Sequence, residues 1–525
     1  MNWVYVSLIF LTIIISIQPS YIHPDEQFQS LQMLSYIFNK EKYLNLNVKK
    51  IIPWEFENQN SARSYFPLYV VYAPIYKFIK IFNITDSLEI FQLVRFYNLI
   101  IFLISCKITI VTIKKRLDDK TEQIDVHLFW MLILTSYVTT SFQSHTFSNS
   151  IETIILQLHL SILQTLIPRN QRDLSNKYKF ALSLLHGTLI SFGIFNRMTY
   201  PAFIFFPLIY MFFKYYTKSA NNMLQLISTI FSFLITSAVI ISIDSRLYES
   251  DSYVITPLNN LLYNLDKKNL LKHGLHARYT HIIINLPQML GPMIYVLFKL
   301  KKQKINLLSL SILSGLTCLS LFEHQELRFL IPLYSIFCLY IVTNCNLKAI
   351  PNYKVVVKIW IIYNVIMTIV LGLLHQSGVL LSIQFLNKYY KQNITANIWW
   401  KTYSPPTWFY NDAHIVNSST NIENGIEYNS AIDFELRKHH VIDLKGCSIE
   451  LFNDTLHKLL TNQGDKNTTI QVVIPNSVKH RVEKISNNYN ITQVYHTWFH
   501  LDLDHFDIEH PSSFYPGIGV YDFSL

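Results

Sequence analysis

Apolar residues gather in long blocks along this chain, and short polar loops separate them. A helix crossing a bilayer needs about 20 apolar residues, with a working range near 17 to 25. Read against that length, the blocks predict spans at Trp3–Ile17, Leu93–Ile113, Val126–Phe142, Thr153–Ile167, Phe180–Phe195, Tyr200–Phe213, Met223–Ile243, His281–Phe298, Ile305–Phe322, Phe329–Asn344 and Val355–Leu374. Several of these are a little short. Their odd number, about 11 transmembrane helices, places the two ends of the chain on opposite sides of the membrane.

Composition agrees: 50% of the residues are apolar and 15% are charged, so the core is mostly not a water-soluble one. A net charge of +10 would ordinarily suggest nucleic acid or an anionic membrane as partner. Here the charge sits in short loops, at Lys114-Lys115-Arg116, Arg169 to Lys179, Lys214 to Lys218, Lys299 to Lys304 and Lys348 to Lys358. All fall on one side of the predicted membrane. Basic loops stay cytoplasmic, which predicts a cytoplasmic N-terminus, a lumenal C-terminus and no nucleic-acid partner. Lys267-Lys268, Lys272 and Arg278 form an exception in a longer loop. Glycosylation sequons begin at Asn83, Asn393, Asn417, Asn453, Asn467 and Asn490, all on the side opposite the basic loops.

The first block has a signal peptide's length but no basic n-region and no small-x-small cleavage site, so it reads as a retained signal-anchor. Of five cysteines, four lie in or beside apolar blocks, with Cys447 alone in the polar tail, and no metal-ligand spacing links them. The long loop after the first span contains Tyr65–Phe82, whose prolines and lysines suit an aromatic-rich element on the lumenal interface. A twelfth span is the alternative. From Gln376 the chain turns polar, dividing it into a membrane domain, 1–375, and a lumenal domain, 376–525. In the latter, Ser448 is placed to cap a helix carrying Leu451, Leu456, Leu459 and Leu460 on one face. Ile470–Ile474, stopped by Pro475, and Val441–Leu444 read as strands, so the tail is expected to be a small α/β unit.

Four clusters on the predicted lumenal side exceed what topology demands: His23-Pro24-Asp25-Glu26-Gln27, His145, Asn196-Arg197, and Glu323 to Arg328. A charge at the bilayer centre costs about 2.5 to 3.5 kcal/mol even on a forgiving scale, so such acids lie at an interface or in a polar cavity and are candidates for chemistry. Plainer readings stay open. Pro24 could end the first helix with Asp25 and Glu26 solvating a loop, Glu326 and Arg328 could cap a hairpin, Arg197 could anchor at the interface, and His145 could be a satisfied loop histidine. Together the clusters suggest a lumenal cavity with a proton-accepting carboxylate and arginines able to pair phosphate oxygens bidentately.

SYIHPDEQFQ at Ser20, FGIFNRMTYPAF at Phe192 and HQELRFLIPLY at His324 resemble the endoplasmic-reticulum mannosyltransferases that use dolichyl-phosphate mannose and have the GT-C membrane fold. Lys401–Tyr410, KTYSPPTWFY, resembles the branch that adds an α1,2-linked fourth mannose to the glycosylphosphatidylinositol (GPI) precursor, and His500–His505 does so more loosely. The Pro-Cys-His-Ser segment typical of the third GPI mannosyltransferase and its N-glycan relatives is absent. The resemblance implies a mainly α, polytopic enzyme that inverts the sugar carbon. It implies Asp25 as catalytic base with Glu26 beside it, and His23, Gln27, His145, Arg197, His324, Gln325, Glu326 and Arg328 as substrate-binding residues. Dolichyl-phosphate mannose is then a substrate rather than a cofactor, the trimannosyl GPI lipid is the acceptor, and no metal is expected. A third GPI or N-glycan mannosyltransferase is the alternative within the family. A lipid-sugar transporter or flippase is the rival class, although no repeat relates the two halves of the chain, and a structural subunit is a third reading.

Overall fold

Among the described residues, helix dominates as far as Tyr389 and strands occur only beyond it. The structure, a computed structural model, describes residues 3–39, 52–116, 124–167, 174–271, 274–300, 305–344, 347–389, 394–410, 415–419, 439–462, 469–485 and 488–525. The sequons at Asn393 and Asn467, together with Lys272 and parts of the basic loops, lie outside these.

Five described helices are long and apolar enough to cross a membrane: Ser87–Lys115, Asn176–Asn196, Ala220–Leu247, Leu327–Asn344 and Tyr353–Leu374. Trp3–Ser16 and Leu307–Ser320 are apolar but shorter. At 1.5 Å per residue a 14-residue helix such as Trp3–Ser16 is about 21 Å long, less than the roughly 30 Å hydrocarbon core.

Two of the expected spans are broken. Val126–Phe142 becomes a helix at Val126–Leu134 and a π-helical turn at Thr139–Gln143. Helix breaks inside a membrane survive where side chains satisfy the freed backbone. Here Asn364 Oδ1 accepts from Tyr137 N at 2.9 Å, and Trp360 Nε1 donates to Thr135 Oγ1 at 3.0 Å. His281–Phe298 divides into His281–Asn285, Leu286–Leu290 and Met293–Phe298. Its break is at Gly291, whose φ of +50° favours glycine. A Cβ there would also lie 2.6 Å from the Tyr363 ring. One polar edge, Trp360-Tyr363-Asn364, thus serves both breaks.

The chain folds into two compact units: Met1–Ser16, Trp54–Pro74 and Arg95–Ile366 in the first, and Ile17–Pro53, Ile75–Val94 and Met367–Leu525 in the second. Tyr65–Phe82, expected as an interfacial element, contains a helix at Tyr65–Ile81. Its first amides, Tyr65 N and Phe66 N, donate to the buried carboxylate of Asp244 at 3.1 and 3.2 Å, a cap supplied from another helix.

The tail builds a six-stranded sheet from β1 (Ile394–Trp399), β2 (Ile415–Ser419), β3 (His439–Asp443), β4 (Thr469–Pro475), β5 (Asn490–Thr497) and β6 (Ile518–Ser524), in the order β2-β3-β1-β4-β6-β5. The pairs among β2, β3, β1 and β4 are parallel, and β6 and β5 complete the sheet antiparallel. Alternation along β1 turns Ala396, Ile398 and then Trp400 toward the helix Ile449–Asn462, where Trp400 stacks on Phe452 with centroids 4.8 Å apart. Ser448 caps that helix as expected, its Oγ accepting from Leu451 N. On the other face the helix Ser377–Tyr389 packs, with Phe385 stacked on Tyr495 at 4.5 Å. Asn83 and Asn490 are exposed, Asn453 is half-buried, and Asn417 lies on β2.

Candidate active site

In the second unit, Pro24 does not end a helix. It opens one, in the first-turn position where its missing N–H costs nothing. Asp25 follows in that turn, and the chain continues as a π-helix, Glu26–Leu31, and an α-helix, Gln32–Phe38. π-Helical turns are uncommon and gather at functional sites. His23 Nδ1 accepts from Asp25 N at 3.1 Å and lies 3.4 Å from Asp25 Oδ1. The Asp25 side chain keeps 22% of its surface, whereas Glu26 is wholly buried.

Lys401–Tyr410, far away in sequence, clasps this turn. Trp408 Nε1 donates to Gln27 Oε1 at 3.1 Å, while Trp408 N and Thr407 Oγ1 donate to Gln32 Oε1 at 3.0 and 3.2 Å. Tyr21 OH donates to Ser404 O at 3.0 Å. The buried amide of Gln27 is therefore engaged from the side of its oxygen by the tail. Gln32 and Trp408 had no sequence signal beyond the resemblance of the tail segment itself.

In the first unit the other cluster is a lattice of paired charges. Glu326 binds Arg328 bidentately, through Nε and through Nη2 at 3.0 Å, and lies 2.9 Å from His324 Nε2. His324 Nδ1 donates to the Gly274 carbonyl at 3.0 Å, so both ring nitrogens face oxygen acceptors. That arrangement is satisfied only when the ring carries both protons. Burial alone would lower the His324 pKa, but the hydrogen bond and charge of Glu326 outweigh it and the pKa is raised. Gln325 is spent on backbone: Oε1 accepts from His281 N at 2.7 Å, and Nε2 donates to Phe322 O and Arg278 O at 2.8 and 3.1 Å.

Phe329 joins Arg328 to Arg197, with their guanidinium carbons 5.5 and 5.4 Å from its ring centre. Arg197 is nearly buried. Its Nε lies 3.5 Å from Glu152 Oε2 and its Nη1 donates to Ser148 Oγ at 2.8 Å. The same hydroxyl accepts from Arg63 Nη1 at 3.3 Å, and Arg63 Nε donates to Glu55 Oε1 at 3.2 Å. Glu55, Arg63 and Glu152 were missed by sequence reasoning. Glu152 could have been noticed, since an acid at the edge of an apolar block needs a partner. His145 is wholly buried, its Nδ1 2.8 Å from Arg95 Nη2, and it lies in the turn after Thr139–Gln143.

Among the described residues, His480, Asp507 and His510 bring their ligand atoms within 4.8 Å of one another. They lie in the tail, and the two imidazoles stack face to face with planes 13° apart, so their in-plane lone pairs do not converge on one ion. Neither polar cluster above offers a comparable ligand set.

The sequence model of the Alg9-like mannosyltransferase family matches residues 3–412. The chain belongs to this family. It is 38% identical to GPI mannosyltransferase 4 of Saccharomyces cerevisiae over 100% of this chain and 99% of that protein. To GPI mannosyltransferase 4 of Candida albicans it is 35% identical over 99% and 98%. Among solved structures, ArnT from Cupriavidus metallidurans bound to undecaprenyl phosphate superposes with a TM-score of 0.54 at 8% identity, covering 99% of this chain and 98% of that one. At that identity the likeness concerns the fold alone, and it agrees with the mainly helical GT-C architecture expected from the sequence. The chain is a multi-pass membrane mannosyltransferase.

Proposed function

We propose that this protein transfers the fourth mannose, in α1,2 linkage, from dolichyl-phosphate mannose to the third mannose of the GPI precursor on the lumenal face of the endoplasmic reticulum. The observation that carries this reading is the match, over essentially the whole of both chains, to proteins named GPI mannosyltransferase 4. In the same reading the chain crosses the membrane about eleven times, with its N-terminus cytoplasmic, its tail lumenal, and the exposed Asn83 and Asn490 as acceptors of N-glycans.

A β-linked donor and an α-linked product require one in-line displacement at the sugar carbon. The acceptor hydroxyl then loses its proton to a base within hydrogen-bond reach, and Asp25 suits that role better than the sealed Glu26 because its carboxylate is accessible. The departing group is a phosphate monoester with a second pKa near 6, so it leaves without an acid but needs counter-charge. Arg328 and His324 supply it, with Arg197 held close through Phe329. The carboxylate turn belongs to one compact unit and the arginine lattice to the other.

Depletion of the protein tests the assignment. A GPI precursor stalled at three mannoses is expected. One stalled at two would assign the protein to the preceding step, and an N-glycan defect with normal GPI precursors would move it to the other pathway. Transfer by the purified protein from synthetic donor to a trimannosyl GPI acceptor separates an enzyme from a flippase.

A further inference from the structure

We infer that the tail domain carries its own membrane foot, the aromatic segment 498–515, which rests in the lumenal interface of the bilayer. The inference rests on the membrane-spanning character of the chain and on the lumenal tail of the proposed topology, not on the identity of its substrates. Trp498, Phe499 and Tyr515 are 64%, 61% and 65% exposed, and Phe514 and Phe506, stacked on each other at 4.9 Å, are also open. Monomeric soluble surfaces rarely gather so many large apolar side chains in one short stretch.

Backbone pairing fixes the height of this segment. Leu501 N donates to Leu374 O at 2.7 Å and Gln376 N donates to Leu501 O at 3.2 Å, forming a bridge between Leu501 and His375. Leu374 is the last residue of the apolar helix Tyr353–Leu374. Gly517 N donates to His500 O at 2.7 Å, which brings the far end of the segment to the same place. Gly378 allows the close approach, since a Cβ there would lie 2.8 Å from His500 Cβ. With a reach of at most about 3.6 Å per residue, Trp498 and Phe499 lie within roughly 11 Å of Leu501, the residue paired to the end of the last apolar run, and Tyr515 lies within about 7 Å of Gly517. Trp and Tyr are enriched at that depth because one end of the ring is apolar and the other is wet.

The charge of the segment selects the kind of lipid surface. Residues 498–517 contain no Lys or Arg; Asp504 and Glu509 are exposed, whereas Asp502 is buried and Asp507 lies against His480, Arg481 and His510. With no cation in the segment to attract anionic headgroups and two open carboxylates to repel them, the partner is a zwitterionic bilayer surface held by ring burial rather than by basic attraction.

The test uses the full chain in phosphatidylcholine nanodiscs, with a bimane label on F499C, on W498C and on E450C, the last on the exposed face of Ile449–Asn462. The wild-type protein treated with the same label gives the background from native cysteines. Exchange of the lipid for a brominated phosphatidylcholine is expected to quench the labels on F499C and W498C several-fold more than that on E450C, with iodide in the buffer showing the reverse order. Labels on F499C and W498C that respond to iodide and not to brominated lipid would place the segment in the lumen and overturn the inference. Labels insensitive to both would mean that protein covers it, which also overturns it.

Discussion

In the unit that carries His23 to Gln27, an accessible carboxylate sits beside a sealed one, and a distant piece of the tail holds their helix through Gln27 and Gln32. In the unit that carries Arg197 and Arg328, each of three arginines has its own carboxylate: Arg63 with Glu55, Arg197 with Glu152, Arg328 with Glu326. The first arrangement leaves one carboxylate accessible. The second holds each guanidinium in place against a carboxylate. Beside them the His324 imidazolium is held by Glu326 and the Gly274 carbonyl. The difference is one of access: the carboxylate proposed as proton acceptor stays open, whereas the cations proposed for the phosphate are held in place by carboxylate partners.

The largest expected effect breaks the first half of that contrast. Asp25→Asn is expected to lower transfer by about 10²- to 10⁴-fold, the range for loss of a general base, with abundance and tail glycosylation unchanged. Glu26→Gln acts instead on folding, because Glu26 is buried, and should reduce yield by weakening a buried contact worth about 1–3 kcal/mol. Exchange of these two outcomes in a transfer assay with quantitative blotting would exchange their roles.

Arg328→Lys keeps a charge and loses the fork. A charged hydrogen bond is worth about 1.5–3 kcal/mol, so a drop of roughly 10- to 100-fold in kcat/KM is expected, and unchanged transfer would mean that the forked Arg328–Glu326 pair is not needed to hold the site in order. His324 gives a smaller, pH-dependent signature. Its pKa is raised, so the imidazolium is fully present below the ordinary imidazole value and is lost as pH rises through the raised one. Donor binding should weaken over that upper window, and His324→Gln should flatten the profile. Trp408→Phe, which removes one hydrogen bond to Gln27, is the mildest: about 1 kcal/mol of stability, read as a modest fall in Tm.

Much of this was legible in the chain. Uninterrupted apolar runs gave helices, and Ser448 with its leucine stripe gave the tail helix, because both signals are local. The breaks in Val126–Phe142 and His281–Phe298 were hidden, since the groups that satisfy them, Trp360, Tyr363 and Asn364, lie far along the chain. The carboxylate turn and the Glu326–Arg328 pair were visible as polar islands, yet Pro24 was ambiguous between ending a helix and starting one. Glu55, Arg63 and Glu152 look ordinary until folding brings them around Ser148.

The central claim, that this chain transfers the fourth mannose with Asp25 as the base, is tested most directly by incubating the purified wild-type and Asp25→Asn proteins with synthetic dolichyl-phosphate mannose and a trimannosyl GPI acceptor. Product carrying an α1,2-linked fourth mannose from the wild type, and about 10²-fold less or lower from the variant, is the predicted result. No transfer by the wild type, or equal transfer by both, would contradict the account.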